Sequence, residues 1–398
     1  MDILSVSILA GLNRPISGGQ DRYFHLVQAL KKHGNRVIVL EPQEFLDAKD
    51  PALAKIYTHP NYRLFHRGWS LFKDLDIWFV RTLLLILQKE HVDLITIEYS
   101  SGAVAVKLAS ALAGINVPIV YTPQNVDSKF ARDVISQVTK FSRLERKIIP
   151  PYIALLEKIT AKYVASHIVA VSEEDKEFFR GKYSLDKERL TVVPSGCELH
   201  DLLDHKAKKG IKAQMGFTPN SVIVVFHGSF FHPPNREAID IISNEIAPMF
   251  ETDESIVFAL YGNGVPKFER ANLRSFGFVT DLHGAISIAD IAVVPLKSGG
   301  GTKLKVFDYM NAGLPIITTR KGIEGIRAID NEHVIVVDTL GQIIEAIRCL
   351  ADNQSERKRI GLNARRLVER EYEWERIGRQ LDQLYREIKD THDQVRTA

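Results

Sequence analysis

The chain has 398 residues, of which 45% are hydrophobic and 25% are charged, with 25 glycines and 16 prolines. This composition excludes a wholly disordered chain, and the length is typical of two domains rather than one hydrophobic core. The net charge of +3 gives no indication of a nucleic-acid binder, and two cysteines exclude a disulfide framework and a four-cysteine zinc site. We therefore expect a protein of the reducing cytoplasm.

The first half of the chain alternates short apolar runs with helical patterns. A helix is predicted from about Asp21 to His33, and Gly34 caps it. Strands are predicted at Ile3–Leu9, Arg36–Leu40, Leu94–Ile97, Ile119–Tyr121, His167–Val171 and Thr191–Val193. The acidic Asp2 is untypical of an export signal, and the longest apolar stretch, residues 77–87, is too short to span a bilayer. The alternation predicts a parallel sheet covered on both faces.

A second set of the same type begins near residue 221. Strands are predicted at Val222–Phe226, Ile256–Tyr261, Ile291–Val294, Pro315–Thr318 and Val334–Val337, with helices between them and long charged helices from about Ser355 to Lys389. Residues 201–216 are polar without apolar periodicity and are predicted to be a linker. We expect an N-terminal domain over 1–200, completed by a C-terminal helix over about 375–398, and a second domain over 217–372. In doubly wound domains ligands bind beyond the carboxyl ends of the strands, so we expect a cleft lined by those loops.

The most informative motif is a glycine loop, Gly299-Gly300-Gly301-Thr302, between the strand Ile291–Val294 and a predicted helix over Lys303–Asn311. Glycines let backbone N–H groups turn toward one point, and a helix N-terminus favours an anion, so the pattern indicates a phosphate site. Lys303 and Lys305 supply positive charge there. Asp308 lies roughly 9 Å along the helix, which suits a ribose contact. The structural alternative is a flexible turn before an ordinary helix.

At this motif the chain resembles the group 1 (family four) glycosyltransferases of the GT-B fold, in the subgroup with a Gly-Gly-Thr-Lys-Leu-Lys loop. The resemblance covers nearly the whole chain. Its other matching segments are Gly18-Gly19, Ala170-Val171-Ser172, Val193-Pro194-Ser195-Gly196, Phe226-His227-Gly228-Ser229 with Pro234-Asn235, Tyr261-Gly262-Asn263-Gly264, Gly277-Phe278-Val279, Trp374 and Tyr385.

The resemblance implies an α/β protein of two Rossmann-like domains that face each other across a cleft. It also implies donor contacts at Gly18, Gly19, Gly228, Ser229, Gly262, Gly264, Phe278, Val279, Gly299, Gly300, Gly301, Thr302, Lys303 and Asp308. The chain departs from the family pattern in three respects. Gly300 replaces the first residue of the family's acidic pair, and Asp308 replaces the second, a glutamate. A cationic pair is replaced by Ser229 and by Pro234 or Asn235, and Gln124 stands where a histidine is common.

Two further side chains are candidates for the chemistry, beside Lys303 and Gln124. Glu98 follows the strand Leu94–Ile97 and suits acceptor activation or a contact with a sugar hydroxyl, the alternative being a solvated loop carboxylate. His25 lies on the first helix, where a structural role is favoured over that of a base. His227 and His232 lack further ligands at metal spacing, so we expect no metal and no cofactor.

Two basic stretches with apolar residues predict contact with an anionic membrane. One is residues 63–73, with Arg63, Arg67 and Lys73; the other carries basic residues from Lys140 to Lys162. The alternative is a solvated helix face. We expect a retaining, metal-independent glycosyltransferase of cell-envelope polysaccharide or glycolipid synthesis, working in the cytoplasm at the inner membrane face. Its partners would be a nucleotide sugar and a carbohydrate or lipid-linked acceptor, without nucleic acid. Alternatives are a catalytically idle sugar-nucleotide-binding partner subunit and a sugar-nucleotide epimerase of the same fold.

Overall fold

A computed structural model of the chain describes residues 1–8, 12, 18–43, 55–59, 74, 76–133 and 142–397. The chain divides into two compact α/β units. Unit 1 comprises Met1–Ser195 and Trp374–Ala398, and unit 2 comprises Gly196–Glu373. The chain thus leaves unit 1 after Ser195 and returns to it at Trp374. No helix among the described residues is long and apolar enough to cross a membrane.

Unit 1 is built on a seven-stranded parallel sheet of order β3-β2-β1-β4-β5-β6-β7. The strands are β1 (Asp2–Val6), β2 (Arg36–Pro42), β3 (Lys55–His59), β4 (Leu94–Ile97), β5 (Ile119–Tyr121), β6 (His167–Ala170) and β7 (Leu190–Val192). The helices are α1 (Gly18–Lys32), α2 (Ile77–Lys89), α3 (Ala103–Ala113), α4 (Asp127–Asp133), α5 (Arg143–Ile159), which continues as a π-helical turn (Thr160–Val164), α6 (Glu173–Tyr183) and the C-terminal helix (Trp374–Thr397).

The strands of unit 1 bury both faces, because successive side chains point to opposite sides of a sheet. In β1, Leu4 and Val6 join the core under α2 and α3, whereas Ile3 joins the core under α1 and the C-terminal helix. The C-terminal helix packs closely on α1, since a Cβ on Gly378 would lie 2.2 Å from the Cβ of Ala29. This close packing explains why the last helix of the chain belongs to unit 1.

Unit 2 is built on a second seven-stranded sheet, of order β10-β11-β9-β8-β12-β13-β14, in which only the edge pair β10–β11 is antiparallel. The strands are β8 (Val222–His227), β9 (Ile256–Tyr261), β10 (Phe268–Arg270), β11 (Leu273–Gly277), β12 (Ile291–Val294), β13 (Ile316–Thr318) and β14 (Ile335–Val336). The helices are α7 (His205–Gln214), α8 (Pro233–Ile241), α9 (Leu282–Ser287), α10 (Leu304–Asn311), α11 (Leu340–Asp352) and α12 (Gln354–Glu371).

Each sheet has one point where the strand order reverses. In unit 1 it lies between β1 and β4, and in unit 2 it lies between β8 and β12. Loops that leave such a point diverge to opposite faces and open a crevice, which is where doubly wound sheets bind ligands. The two switch points therefore locate the sites described below.

The segment predicted as a linker instead carries helix α7 on unit 2. Asp204 caps this helix by accepting a hydrogen bond from the Ala207 N–H (2.7 Å). The buried ammonium of Lys212 donates to Asp290 Oδ2 (2.8 Å) and to the Ser221 carbonyl (2.9 Å). Helix α7 is thus anchored by a lysine. An apolar residue at this position would have contributed to a periodic pattern, which is why the polar segment 201–216 was predicted to be a linker.

Candidate functional site

The two loops at the centre of unit 2 depend on close backbone contact. The Gly228 N–H donates to the Tyr261 carbonyl (3.0 Å), and a Cβ on Gly262 would lie 2.0 Å from the Gly228 carbonyl oxygen. No other residue type fits at Gly262 without moving the backbone. Gly264 has φ of +77°, and a Cβ there would lie 2.6 Å from the ring of Phe231. The glycines expected to contact the donor therefore shape the loops that follow β8 and β9.

Lys305 lies directly beneath the loop after β8. A Cβ on Gly228 would lie 2.7 Å from Lys305 Nζ, which donates to Asn235 Oδ1 (2.6 Å) and stands 4.2 Å from the Phe226 ring centroid. Asn235 in turn donates to the Ser229 carbonyl (3.0 Å). Burial lowers the pKa of Lys305 from 10.5 to about 7, although the negative charge of Asp308 opposes that shift. Lys305 thus lies deep in unit 2, and no carboxylate of the described residues forms a hydrogen bond with it.

The glycine loop joins β12 to α10, as the sequence predicts. Gly299 and Gly301 have φ of +106° and +68°, which favours glycine at both positions. Among the described residues, no atom would lie within 4 Å of a Cβ on Gly300, so they leave open the position where the family carries its first acid. Helix α10 begins at Leu304, and Lys303 occupies the N-cap position just before it.

Lys303 is buried at the base of the glycine loop. Its Nζ donates to the Gly301 carbonyl (2.5 Å) and lies 3.6 Å from Glu324 Oε2. The same carboxylate oxygen accepts a hydrogen bond from Lys321 (2.6 Å). Glu324 is a site residue that the sequence analysis missed, because it lies in a turn region after β13 and belongs to no motif. With Lys303 and Lys321 beside one glutamate, the loop has a local excess of positive charge that suits an anion.

Asp308 is presented by α10 with 42% of its side chain exposed. Its Oδ2 lies 3.2 Å from His227 Nε2, at the end of β8. The ring of His227 packs edge-on against Tyr309, and the backbone N–H of His227 donates to the Tyr309 hydroxyl (2.8 Å). Asp308 is therefore oriented at the switch point of unit 2 while one face of the carboxylate stays open to a hydroxyl donor.

Phe278 and Val279 follow β11 directly. The ring of Phe278 is 68% exposed and Val279 is partly buried. An exposed aromatic ring beside a strand end is a stacking surface for a planar base. This placement is compatible with the base contact that the resemblance implies.

The candidate residues of unit 1 meet at its switch point. Glu98 is 3% exposed, so the alternative that it is a solvated loop carboxylate is wrong. Its Oε2 accepts a hydrogen bond from Gln124 Nε2 (2.7 Å). Burial raises the pKa of Glu98 to about 8, although the positive charge of Arg22 and the hydrogen bonds from Gln124 and Thr96 oppose the rise. The structure thus pairs two of the predicted catalytic candidates, which lie 26 positions apart.

The opposite end of the Gln124 amide carries an unused acceptor. Its Oε1 is buried, and no described residue donates a hydrogen bond to it. Gly18 and Gly19 begin α1 nearby, and a Cβ on Gly19 would lie 3.6 Å from Gln124 Cγ and 3.7 Å from the Tyr99 hydroxyl. A buried unpaired amide oxygen is costly, so a hydroxyl-bearing ligand is its natural partner.

Arg22 is a further buried residue of this region that the sequence analysis missed. Its guanidinium donates to the Val193 carbonyl (2.8 Å) and the Pro194 carbonyl (2.6 Å), shortly before the chain leaves unit 1 after Ser195. Burial lowers the pKa of Arg22 to about 10, and the charge of Glu98 opposes the shift. One turn further along α1, His25 stacks on Trp374 (5.0 Å between ring centroids) and pairs with Asp21, which supports its structural interpretation.

Histidines in unit 2 do not gather into a metal centre. Within the described ranges, no group of three or more His, Cys, Asp or Glu side chains is arranged to hold a metal ion. Burial, and then the charges of Lys305 and Lys303, lower the pKa of His232 to about 4. His232 is therefore a neutral side chain beside two lysines at neutral pH.

Two family models match the chain, one in each half. Residues 16–201 match the model described as Glycosyltransferase Family 4, and residues 221–353 match the model described as Glycosyl transferases group 1. Together they span about four fifths of the chain. This agrees with the family that the glycine loop and its companion segments indicate.

A curated relative is the UDP-Gal:alpha-D-GlcNAc-diphosphoundecaprenol alpha-1,3-galactosyltransferase of Escherichia coli, 23% identical over 270 residues. The match covers 64% of this chain, and the chain spans 64% of the length of that relative. Among solved structures, sucrose-phosphate synthase from Thermosynechococcus elongatus gives a TM-score of 0.74 at 17% identity, over 98% of this chain and 100% of that one. Anabaena Alr3699/HepE in complex with UDP gives 0.71 at 13% identity, over 96% and 99%. The predicted GT-B fold, with its two Rossmann-like domains, is confirmed.

Proposed function

Because the chain is built from the two domains of a group 1 glycosyltransferase, we propose that it moves a sugar from a nucleoside-diphosphate donor to an acceptor hydroxyl, in polysaccharide or glycolipid synthesis. One observation carries the proposal beyond the family. The switch point of unit 2 joins a glycine loop, two lysines and a half-exposed aspartate. Phosphates, and a ribose beside them, are the groups that this combination recognises.

The donor is proposed to be a uridine diphosphate sugar, held by unit 2. Support comes from the galactosyltransferase relative, whose name specifies UDP-Gal, and from the similar structure that contains UDP. The glycine loop with Lys303 and Lys305 would hold the diphosphate. Asp308 would accept hydrogen bonds from the ribose hydroxyls, and Phe278 with Val279 would contact the base. Gly228, Ser229, Gly262 and Gly264 would let the donor approach the backbone.

The chemistry needs stabilisation of the leaving diphosphate. The bond between the sugar C1 and the donor phosphate oxygen breaks, and a bond between C1 and the acceptor oxygen forms. The acceptor proton passes to the departing phosphate oxygen, so no protein base is required. Charge grows on the phosphate oxygens during bond breaking, and preorganised cations such as Lys303 stabilise it. Retention of the anomeric configuration and independence of metals and cofactors belong to this proposal, on the strength of the family resemblance.

Unit 1 is proposed to hold sugar and acceptor hydroxyls. Glu98 and Gln124 form a buried pair with one unused amide oxygen, which a ligand hydroxyl would satisfy, and Gly18 with Gly19 gives the approach. The acceptor is proposed to be a saccharide on a lipid diphosphate, which is the acceptor that the name of the Escherichia coli relative states. We propose that the reaction takes place at the cytoplasmic face of the membrane, which is the expectation from the sequence. Of the two basic stretches expected to meet lipid, residues 63–73 lie outside the described residues, and the described part of the other forms α5 and the turn that continues it.

One observation favours a second candidate. The family's first acid is replaced by Gly300, and no atom of the described residues lies within 4 Å of the place where its Cβ would stand. A chain that binds a nucleotide sugar without transferring it, as a partner subunit, would tolerate this loss. The buried Glu98–Gln124 pair in unit 1 argues for transfer, because a mere nucleotide binder has no use for it.

A nucleotide-sugar screen followed by product analysis tests the proposal. Ligands that bind the native state raise its apparent stability, so the melting temperature of the purified chain should rise with the true donor. That donor is then incubated with lipid-linked saccharides, and the product is identified by mass spectrometry. A product heavier by one sugar residue supports transfer, whereas stabilisation by a donor without any product across the acceptors would favour the partner-subunit candidate.

A further inference from the structure

The turn that follows β13 is held against the end of β12. A Cβ on Gly322 would lie 2.2 Å from Thr318 Oγ1 and 2.9 Å from the Val294 carbonyl oxygen, so a larger residue would push the turn away from β12. The Thr319 hydroxyl donates to the Leu296 carbonyl (2.5 Å) and accepts a hydrogen bond from the Gly322 N–H (3.0 Å). These contacts fix the turn beside the carboxyl end of β12, the strand that leads into the glycine loop.

Glu324 extends from this turn to a lysine of the glycine loop. Its Oε2 lies 3.6 Å from Lys303 Nζ and accepts a hydrogen bond from Lys321 Nζ (2.6 Å). Lys303 Nζ also donates to the Gly301 carbonyl (2.5 Å), so one ammonium joins the carboxylate to the glycine loop. The other oxygen, Oε1, accepts no hydrogen bond from any residue that the structure describes, and 32% of the Glu324 side chain is exposed. Glu324 therefore presents an open acceptor beside the loop that we expect to hold the diphosphate.

A carboxylate in this position opposes the binding of phosphate. The glycine loop and Lys303 attract an anion, and a negative charge 3.6 Å from that lysine weakens the attraction. The ion pair with Lys321 adds little stability in return, because both side chains are about one-third exposed. The part of a nucleotide sugar that gains from a carboxylate is the sugar, whose hydroxyls donate strong hydrogen bonds to a charged oxygen. The position of Glu324 thus suits the sugar of the donor rather than its phosphates.

We propose that Glu324 Oε1 accepts a hydrogen bond from a hydroxyl of the sugar that is transferred. This inference rests on the proposed function, in which the glycine loop and Lys303 hold the diphosphate. The sugar is bonded to the second phosphate of the donor, so a carboxylate that shares a lysine with the phosphate loop is placed to reach its hydroxyls. The chain then supplies from the turn after β13 a carboxylate that the family carries at the position of Gly300. With this contact, the glycine at position 300 no longer favours a partner subunit without transferase activity.

Calorimetric titration of the full chain with UDP and with a UDP-sugar tests this role of Glu324. The UDP-sugar is UDP-galactose or UDP-glucose, whichever raises the melting temperature of the wild type more. Both ligands are anions with a diphosphate, and only one of them carries a sugar. We expect Glu324→Ala to weaken binding of the UDP-sugar about tenfold or more, whereas UDP binds at least as tightly as to the wild type. Glu324→Gln keeps the shape and a neutral acceptor oxygen, so it should weaken binding of the UDP-sugar by less than Glu324→Ala.

Asp338→Ala is the matched control, because it removes an equal charge from a carboxylate whose ion-pair partner is Arg320 (3.3 Å) in the same turn. It should leave the ratio of the two dissociation constants unchanged. Tighter or unchanged binding of both ligands to Glu324→Ala would reduce Glu324 to a charge beside the phosphate site, and weaker binding of both would reduce it to a support for Lys303. Each of these results would overturn the proposal while leaving the donor site in place. A wild type that binds neither ligand would instead refute the proposed donor site, and the sugar contact with it.

Discussion

Replacing Lys305 by methionine should make the protein more stable and a poorer binder of nucleotide at the same time. The side chain lies deep in unit 2, with Nζ 2.6 Å from Asn235 Oδ1 and 4.2 Å from the Phe226 ring centroid. Methionine keeps most of its length and removes the charge. A cation held in this position in the free protein is costly, and an anionic diphosphate beside it would repay that cost.

The magnitude follows from the pKa of Lys305, which burial lowers from 10.5 to about 7. At 1.36 kcal/mol per pH unit this difference sets an upper limit of about 5 kcal/mol. Because part of the side chain is open to water, we expect the charge on Lys305 to lower the free energy of unfolding by about 2 kcal/mol. Below pH 7 the lysine is charged in both folded and unfolded chains, and the full cost is present. Between pH 7 and 10.5 the unfolded chain holds one more proton, so wild-type stability rises with pH.

Urea unfolding of both proteins at pH 6.5 and pH 9.5 measures this difference, and UDP titration calorimetry measures the nucleotide affinity. The free energy of unfolding of the Lys305→Met variant should exceed that of the wild type by about 2 kcal/mol at pH 6.5 and by much less at pH 9.5. The lost hydrogen bond to Asn235 is weaker once the lysine is neutral, so its loss would change the stability difference in the opposite direction and cannot imitate the trend. UDP affinity should fall at least tenfold at pH 6.5. A stability difference independent of pH, or unchanged UDP affinity, would refute the reasoning.

Lys303→Ala should lower turnover, measured as UDP release under saturating donor, about 10²-fold or more. Lys321 contacts the same Glu324, and Lys321→Ala should lower turnover far less. Asp308→Asn should weaken UDP binding by roughly 1–3 kcal/mol in calorimetry while pyrophosphate, which lacks a ribose, binds as before; equal losses for both ligands would contradict the ribose contact. Glu98→Gln should gain stability over the wild type as pH rises from 4.5 to 8, by roughly 2 kcal/mol in urea unfolding. Across that range the unfolded wild type loses the Glu98 proton, whereas the folded wild type keeps it up to the pKa of about 8, so wild-type stability falls; a constant difference would contradict the buried carboxyl.

The order of strands and helices could be read from the sequence where the pattern is strong. Apolar runs such as Leu94–Ile97 and Ile291–Val294 form buried strands at the same positions in the structure. Strands with weak patterns were missed. β3 (Lys55–His59) and β10 (Phe268–Arg270) are edge strands in which every side chain but that of His59 is exposed or half-buried, so their sequences carry little apolar signal. Tertiary pairing, which the local sequence does not encode, makes them strands.

The site could be predicted where function depends on the backbone. The glycines at 228, 262 and 299 leave a signature because close approach or positive φ demands them. Side chains that enter from distant turns leave none: Glu324 reaches Lys303 from a turn region after β13, and Arg22 reaches the Val193 carbonyl across 171 positions. The burial of Glu98 was equally invisible, because a carboxylate after a strand is most often solvated.

Acceptor-dependent release of UDP is the measurement that tests the account most directly. The purified chain is incubated with its stabilising UDP-sugar, with and without a lipid-linked saccharide, and UDP and sugar products are quantified together. We predict UDP release that requires the acceptor and matches the sugar gained by it, and that falls about 10²-fold in the Lys303→Ala variant. Release that is equal without acceptor, conversion of the donor into an isomer, or binding without any release would each contradict a glycosyl transfer reaction.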